Sequence, residues 1–264
     1  MWTCVRWEWR RQTHLWRFWG SLASLAGMGL LFAYVYEHLR QQSPLQALVG
    51  QEIPNSFFVP VLAVAVSSLV LLPFFVTMVS GDAISGERQS GTWFMLLTQG
   101  IPPWRLYFAK WLIAVTYAWL AVAVLVGSSL VGGLALFGWR AAILPAGTVA
   151  SSTDLIRLLL VLFAYCSAGQ TAVASLALCV SAFSRHTVST VMVMMGGLLF
   201  MALLGDFPIM PEAQQLFLTD YFSRAADVLG VPLNWSSLGR GVAVYGIYCV
   251  CSWLLVIWLE PFRQ

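Results

Sequence analysis

Carboxylates bracket two of the apolar runs in this chain, in Ser80-Gly81-Asp82 and Leu204-Gly205-Asp206. Two such acids could form a proteolytic dyad if they shared a proton, which requires the carboxyl groups to lie within a few Å of each other. The hydropathy pattern puts Asp82 and Asp206 on opposite sides of a layer roughly 30 Å thick, so the dyad is excluded. No His-Glu-x-x-His helix, Gly-x-Ser-x-Gly elbow or Gly-x-x-x-x-Gly-Lys loop occurs, so neither hydrolysis nor ATP binding is encoded. Cys4, Cys166, Cys179, Cys249 and Cys251 are scattered, and His14, His38 and His186 fall on separate segments. No disulfide framework or metal site is implied, and no cofactor is expected in this chain.

The composition explains why catalytic motifs are missing. Hydrophobic residues make up 59% of the 264 and charged residues only 9%, too few to cover a soluble surface. Backbone polar groups cannot stay unpaired in hydrocarbon, so the long apolar runs predict membrane-spanning helices. Six are expected: Phe18 to Tyr36, Phe57 to Val79, Trp111 to Phe137, Leu158 to Phe183, Val188 to Leu204 and Gly241 to Leu259. The fold class is thus an all-α membrane protein, a single transmembrane domain over 1–264 with both termini on one side. Nine of the 14 Lys and Arg residues fall on that side, Arg6, Arg10, Arg11, Arg17, Arg88, Arg105, Lys110, Arg185 and Arg263, against four of the 11 acids. The positive-inside rule makes it cytoplasmic. The net charge of +3 then reads as topology and not as nucleic-acid binding.

Residues 1–17 are rich in Arg and Trp and lack a cleavage site, so a removable signal peptide is not expected. Trp2, Val5, Trp9 and Trp16 share one helical stripe, with Arg6, Arg10 and Arg17 on the next. This fits either an interfacial helix or a basic, aromatic flank of the first span. Trp2, Trp9, Arg10, Arg17 and Lys110 are the expected anchors at the membrane interface. On the outside, 205–240 offers a helix start at Pro211-Glu212 and an amphipathic stretch through Leu216, Phe217, Tyr221 and Val228. It reads as a re-entrant or interfacial helical segment, or as a plain structured loop. Within the spans Ser128 with Gly132, and Ser167 with Thr171, place small residues four apart for close helix packing, and Gln170 is expected to bond a neighbouring helix. None of the expected spans contains Asp, Glu, Lys or Arg, which argues against a proton- or ion-coupled carrier.

The segment from Gly86 to Lys110, between spans two and three, is neither hydrophilic loop nor span. Charged and small residues precede Trp93-Phe94-Met95-Leu96-Leu97, which as a helix would be apolar nearly all round and needs a second protein to cover it. Thr98, Gly100, Pro102 and Pro103 then break the helix. Arg105 and Lys110 also suit anchoring at the headgroups, and Glu87 alone could be a solvated carboxylate.

The run Asp82-Ala83-Ile84-x-Gly86-Glu87-x-x-x-Gly91-Thr92-x-x-x-Leu96-Leu97-Thr98, followed by Pro102, Arg105 and Lys110, resembles the cytoplasmic signature of type-two ABC exporter permeases. Among these it is most similar to single-domain permeases of the nitrous oxide reductase copper-maturation and gliding-motility kind, and Thr219-Asp220-x-x-x-Arg224 is similar too. Gln99 to Pro103 departs from the more usual Thr-Pro-hydrophobic-Ser. The resemblance implies a permease of the bacterial cytoplasmic membrane with no ATPase site of its own. ATP and Mg would be bound by a separate cytoplasmic ABC ATPase subunit. A coupling helix within the 81–106 loop would seat on that subunit through Asp82, Glu87, Arg88, Gly91, Thr92, Trp93, Leu96, Leu97, Pro102 and Arg105, with Arg185 and His186 contributing from the next cytoplasmic loop. The permease would work with a second copy or a paralogue, exporting by alternating access. The alternative is a mechanotransmitting subunit that couples the ATPase to a periplasmic partner without moving a solute.

Overall fold

The protein is described from a computed structural model covering residues 2–42, 55–92, 102–139, 142–143, 149–206, 217–223 and 235–259. Its helices are α1 (Trp2–His14), α2 (Trp16–Gln42), α3 (Phe58–Ser67), α4 (Leu71–Gln89), α5 (Pro103–Phe137), α6 (Ser152–Phe183), α7 (Thr187–Asp206), α8 (Leu218–Ser223) and α9 (Trp235–Leu259). Five of them, α2, α5, α6, α7 and α9, are long and apolar enough to cross a membrane, and α3 and α4, bent by 60°, reach that length and apolarity together, which makes six if the pair is one span. Between α5 and α6 the residues Ala142–Ile143 and Val149–Ala150 pair as two very short antiparallel strands, β1 and β2, which the all-helical expectation did not include.

Proline explains the bend. A helix running through Ser68 to Val70 would drive the Pro73 ring into the Leu69 carbonyl and leave that carbonyl without a donor. The chain instead breaks there, and α3 and α4 meet at 60°. Pro73 then falls in the first turn of α4, where an amide proton would be unpaired in any case. The straight span expected over Phe57 to Val79 is therefore two helices. The second runs on to Gln89, so the first nine residues of the expected 81–106 loop are helical.

Local signals fix the other ends. Pro103 occupies the first position of α5, with extended Pro102 before it, which starts that helix eight residues ahead of the expected span. Ser151 and Asp154 form a reciprocal capping box at the head of α6. Ser90 and Gly91 end α4, Gly91 with φ of 74°, the left-handed conformation glycine takes without strain. At 35 residues α5 is roughly 52 Å long at 1.5 Å per residue, well beyond a hydrocarbon layer of about 30 Å.

The two longest helices organise the bundle. α5 lies along α2 and also touches α1, α3, α4 and α6, while α6 packs against α4, α5, α7 and α9. α2 and α5 approach until backbone meets backbone: a methyl group on Gly29 would stand 2.9 Å from the Ser129 nitrogen and 3.0 Å from the Leu125 carbonyl. Gly132, one turn further along, faces Ala33, and the Tyr117 hydroxyl donates to Ser21 Oγ at 2.5 Å. At the other end of the bundle α8 is driven inward. Leu218, Tyr221 and Phe222 are buried, Phe222 and Tyr245 lie against Gly169, and the Tyr165 hydroxyl donates to the Tyr221 carbonyl at 2.9 Å. Within 205–240, α8 thus packs among the spans.

The α2–α5 crossing gives a direct test. Gly29→Leu must separate two backbones and is expected to destabilise the protein by ~1–3 kcal/mol. Gly27→Leu, where nothing lies within 4 Å, is expected to shift stability by less than ~0.5 kcal/mol. Thermal unfolding of the two variants in detergent measures the difference.

Candidate functional site

A cluster of charged residues lies at one end of the bundle, where α4 stops and α5 begins. There α1 lies across α5 and the start of α2. Glu8 and Gln12, four apart on α1, form its buried face, while Trp2 and Trp7 stand exposed on the far side. Trp9 packs edge-on against Phe18 at 6.2 Å between ring centres. Gln12 and Leu15 carbonyls accept backbone bonds from Leu15 and Phe18, which turns the chain into α2.

Glu8 meets a lysine. The Lys110 ammonium, on the third turn of α5, donates to Glu8 Oε1 at 3.0 Å and to Glu87 Oε1 at 2.6 Å. Arg11 also donates to Glu87, and lies 3.5 Å from Glu8. Glu8, Glu87 and Lys110 are each at most 1% exposed. The four groups carry no net charge together, and that is what makes their burial tolerable, because an isolated ion in this environment would be strongly disfavoured. The knot ties three helices that are distant in sequence: α1, the last turn of α4 and the beginning of α5.

A second set of contacts joins α4 to α2, α6 and α7. Asp82 accepts from Arg17 at 2.9 Å and from the Thr187 hydroxyl at 2.7 Å. Gly86, one turn later, leaves room for that carboxylate, since a methyl there would come within 2.5 Å of Asp82 Oδ1. Ser181 Oγ donates to the Gly81 carbonyl at 2.5 Å and accepts from the Ser85 amide at 2.9 Å, so an α6 side chain is inserted into the hydrogen-bond ladder of α4. Gly81 also meets Thr190 of α7 at 3.0 Å from a would-be Cβ. Trp253 of α9 stacks edge-on against Tyr107 and Trp111 of α5, which brings the last helix to the same end.

The residues picked out by sequence fall into several groups. Asp82 and Glu87 are brought together with Arg17 and Lys110. Glu87 is therefore no solvated loop carboxylate, and Lys110, expected as a headgroup anchor, is buried in the bundle. Arg88 lies close enough to Arg185 for the two cations to repel, and Arg185 and His186 are exposed at the α6–α7 turn. Thr92 reaches back to the Ser90 hydroxyl at 2.9 Å. The Pro102 carbonyl accepts from the Arg105 amide, and Arg105 lies over the Trp104 ring at 5.2 Å. Trp93, Leu96 and Leu97 lie outside the described residues. Trp2 and Arg10 are exposed. Thr171 accepts from the Trp119 indole at 3.1 Å, and Ser128 sits over Gly29. Ser167 and Gln170 are buried, and neither Ser167 Oγ nor Gln170 Oε1 has a hydrogen-bond partner among the described residues.

Sequence reasoning passed over Glu8, Arg11, Ser181 and Thr187. Glu8 carried a signal: it is the one acid among the first seventeen residues, and with Gln12 it makes an i, i+4 polar pair on a helix that is otherwise basic and aromatic. Removing Lys110 leaves two buried carboxylates to share the single, partly exposed Arg11, so Lys110→Ala is expected to destabilise the protein by ~3–5 kcal/mol. Combining Lys110→Met with Glu8→Gln and Glu87→Gln removes the stranded charge and is expected to recover most of that loss. Thermal unfolding in detergent separates the outcomes, and a triple variant no more stable than Lys110→Ala would show that pairing is not what Lys110 contributes.

No curated protein matches the chain. A family model described as ABC-2 family transporter protein matches residues 2–229, a stretch that runs from α1 through α8 and holds every member of the knot. With most of its length so matched and its long helices apolar enough to span a bilayer, the chain belongs to the ABC-2 transporter family, the membrane subunits of ABC transporters.

Proposed function

We propose that the chain is the membrane-spanning half of an ATP-driven exporter of the bacterial cytoplasmic membrane. It pairs with a second copy or a paralogue, and a separate ATPase subunit binds ATP and Mg and docks on the connection between α4 and α5. The observation that carries this reading is the ionic knot. The two helices that flank the proposed docking segment are fastened to each other and to α1 by Lys110, Glu87 and Glu8. A displacement applied to Trp93, Leu96 and Leu97 is therefore handed to α4 and α5 as one unit. Asp82 and Ser181 extend it to α2, α6 and α7. The ATPase shifts the bundle only by as much as it binds one arrangement better than the other. Firmly tied helix ends let that difference reach the spans without being lost in local bending.

The test has two stages. The full chain, purified by affinity from its native membrane, is expected to retain a nucleotide-hydrolysing subunit whose turnover rises when the permease is present. Leu97→Ala is expected to weaken that stimulation at least about fivefold, the ratio given by ~1 kcal/mol of lost contact. Glu87→Ala is expected to weaken it as well. Recovery without any nucleotide-hydrolysing partner contradicts the reading, and unchanged stimulation in both variants contradicts the assigned seat.

A further inference from the structure

Beside the knot a groove of about 280 Å³ opens between α2 and α4. Its walls are uneven. Gly20, Ser21 and Ser24 make the α2 side low, and Phe75 and Met78 make the α4 side apolar. The groove exists because α2 follows α5, with which it makes its close backbone contact, and touches α4 only sparsely. Arg17 and Trp16 close the end nearer the chain terminus, Trp16 with 85% of its surface exposed.

Chemistry changes along this groove. At one end stands the Arg17 guanidinium, 51% exposed, which spends one nitrogen on Asp82 Oδ1 and keeps further donors in its fork. Arg6 and Arg10 on α1 are exposed, while Arg11 and Glu8 are absorbed by the knot, so the remaining charge of this terminus is positive. Toward the middle of the span the lining is hydrocarbon-like. Indole rings mark the level of a membrane interface, with Trp16 and Trp19 both exposed there. A cation at the interface above an apolar slot is complementary to a molecule with an anionic head and an aliphatic tail, and guanidinium matches phosphate oxygens through paired donors.

We infer that the α2–α4 groove holds an anionic phospholipid, its phosphate on Arg17 and one acyl chain between Gly20 and Phe75. The site requires only that these helices span a bilayer and is independent of any ATPase. Occupancy would bridge the first span to the helix that carries Asp82 and Glu87, making the lipid part of the packing at this end.

Native mass spectrometry of the delipidated full chain in detergent tests the site. The probes are phosphatidylglycerol and phosphatidylcholine with matched acyl chains, with glycerol 3-phosphate as a headgroup-only arm. Phosphatidylglycerol is expected to remain bound at collision energies that strip phosphatidylcholine, and glycerol 3-phosphate is expected not to displace it. Arg17→Gln is expected to lower phosphatidylglycerol occupancy at least fivefold, to the phosphatidylcholine level. Gly20→Leu fills the slot while leaving the Arg17–Asp82 pair in place, since a Cβ there meets only the Trp16 ring at 3.8 Å. It is expected to lower binding of both lipids, and it decides the matter should Arg17→Gln fail to fold. Equal retention of the two lipids overturns the inference, as does unchanged phosphatidylglycerol binding in the folded variants. Displacement by glycerol 3-phosphate overturns it in favour of a free-phosphate site. Loss of a dimer on Gly20→Leu with lipid binding unchanged overturns it in favour of a second copy of this chain.

Discussion

One ammonium group held between two carboxylates governs the architecture of this end of the molecule. Lys110 is sealed from solvent on a largely apolar helix, and a charge there persists only if opposite charge is brought to it. Glu87 comes from the neighbouring helix, but Glu8 has to be delivered by the N-terminal helix. Burial of Lys110 therefore requires α1 to be docked, and docking of α1 in turn fixes the distance between the end of α4 and the beginning of α5. Arg11, from the same helix, balances the second carboxylate. Hydrophobic contact alone would bind α1 with less positional demand, because apolar surfaces slide where a two-carboxylate site does not.

The opposite treatment of the two ends of span two follows from this. Near Glu87 the helix is pinned by the knot, by Asp82 to Arg17 and Thr187, and by Ser181 within its own ladder. At Pro73 it is interrupted, and α3 leaves at 60° to follow α5, where Gly133 admits the Ser56 backbone to within 3.0 Å of a would-be Cβ. The span is thus stiff at one end and jointed beyond it.

Much of this was legible from composition and pattern. The apolar runs announced the spans, and the run from Asp82 to Thr98 pointed to the family that residues 2–229 match. The knot was less accessible, since hydropathy treats Lys110 and Glu87 as charged flanks of spans and has no means of pairing them with an acid about a hundred residues away. A carboxylate in a basic N-terminal segment reads as one charge in a topology count until a tertiary contact gives it a partner. The break at Ser68 to Val70 was written in Pro73, but a proline within an apolar run of span length is tolerated often enough in membranes that the run outweighed it. Ser181 and Thr187 look like small packing residues, and only the close approach of α4 to α6 and α7 turns them into hydrogen-bond donors.

The central claim is that Lys110 holds α1 on the bundle. Hydrogen exchange of the α1 amides, followed by mass spectrometry in detergent for the wild-type chain and for Lys110→Met, addresses it most directly. The account predicts that exchange in Trp2–His14 accelerates at least about tenfold, the factor that ~1.4 kcal/mol of lost docking energy produces, while the α6 core around Ala172 to Ala177 keeps its protection. An α1 that exchanges at the same rate in both proteins would contradict it.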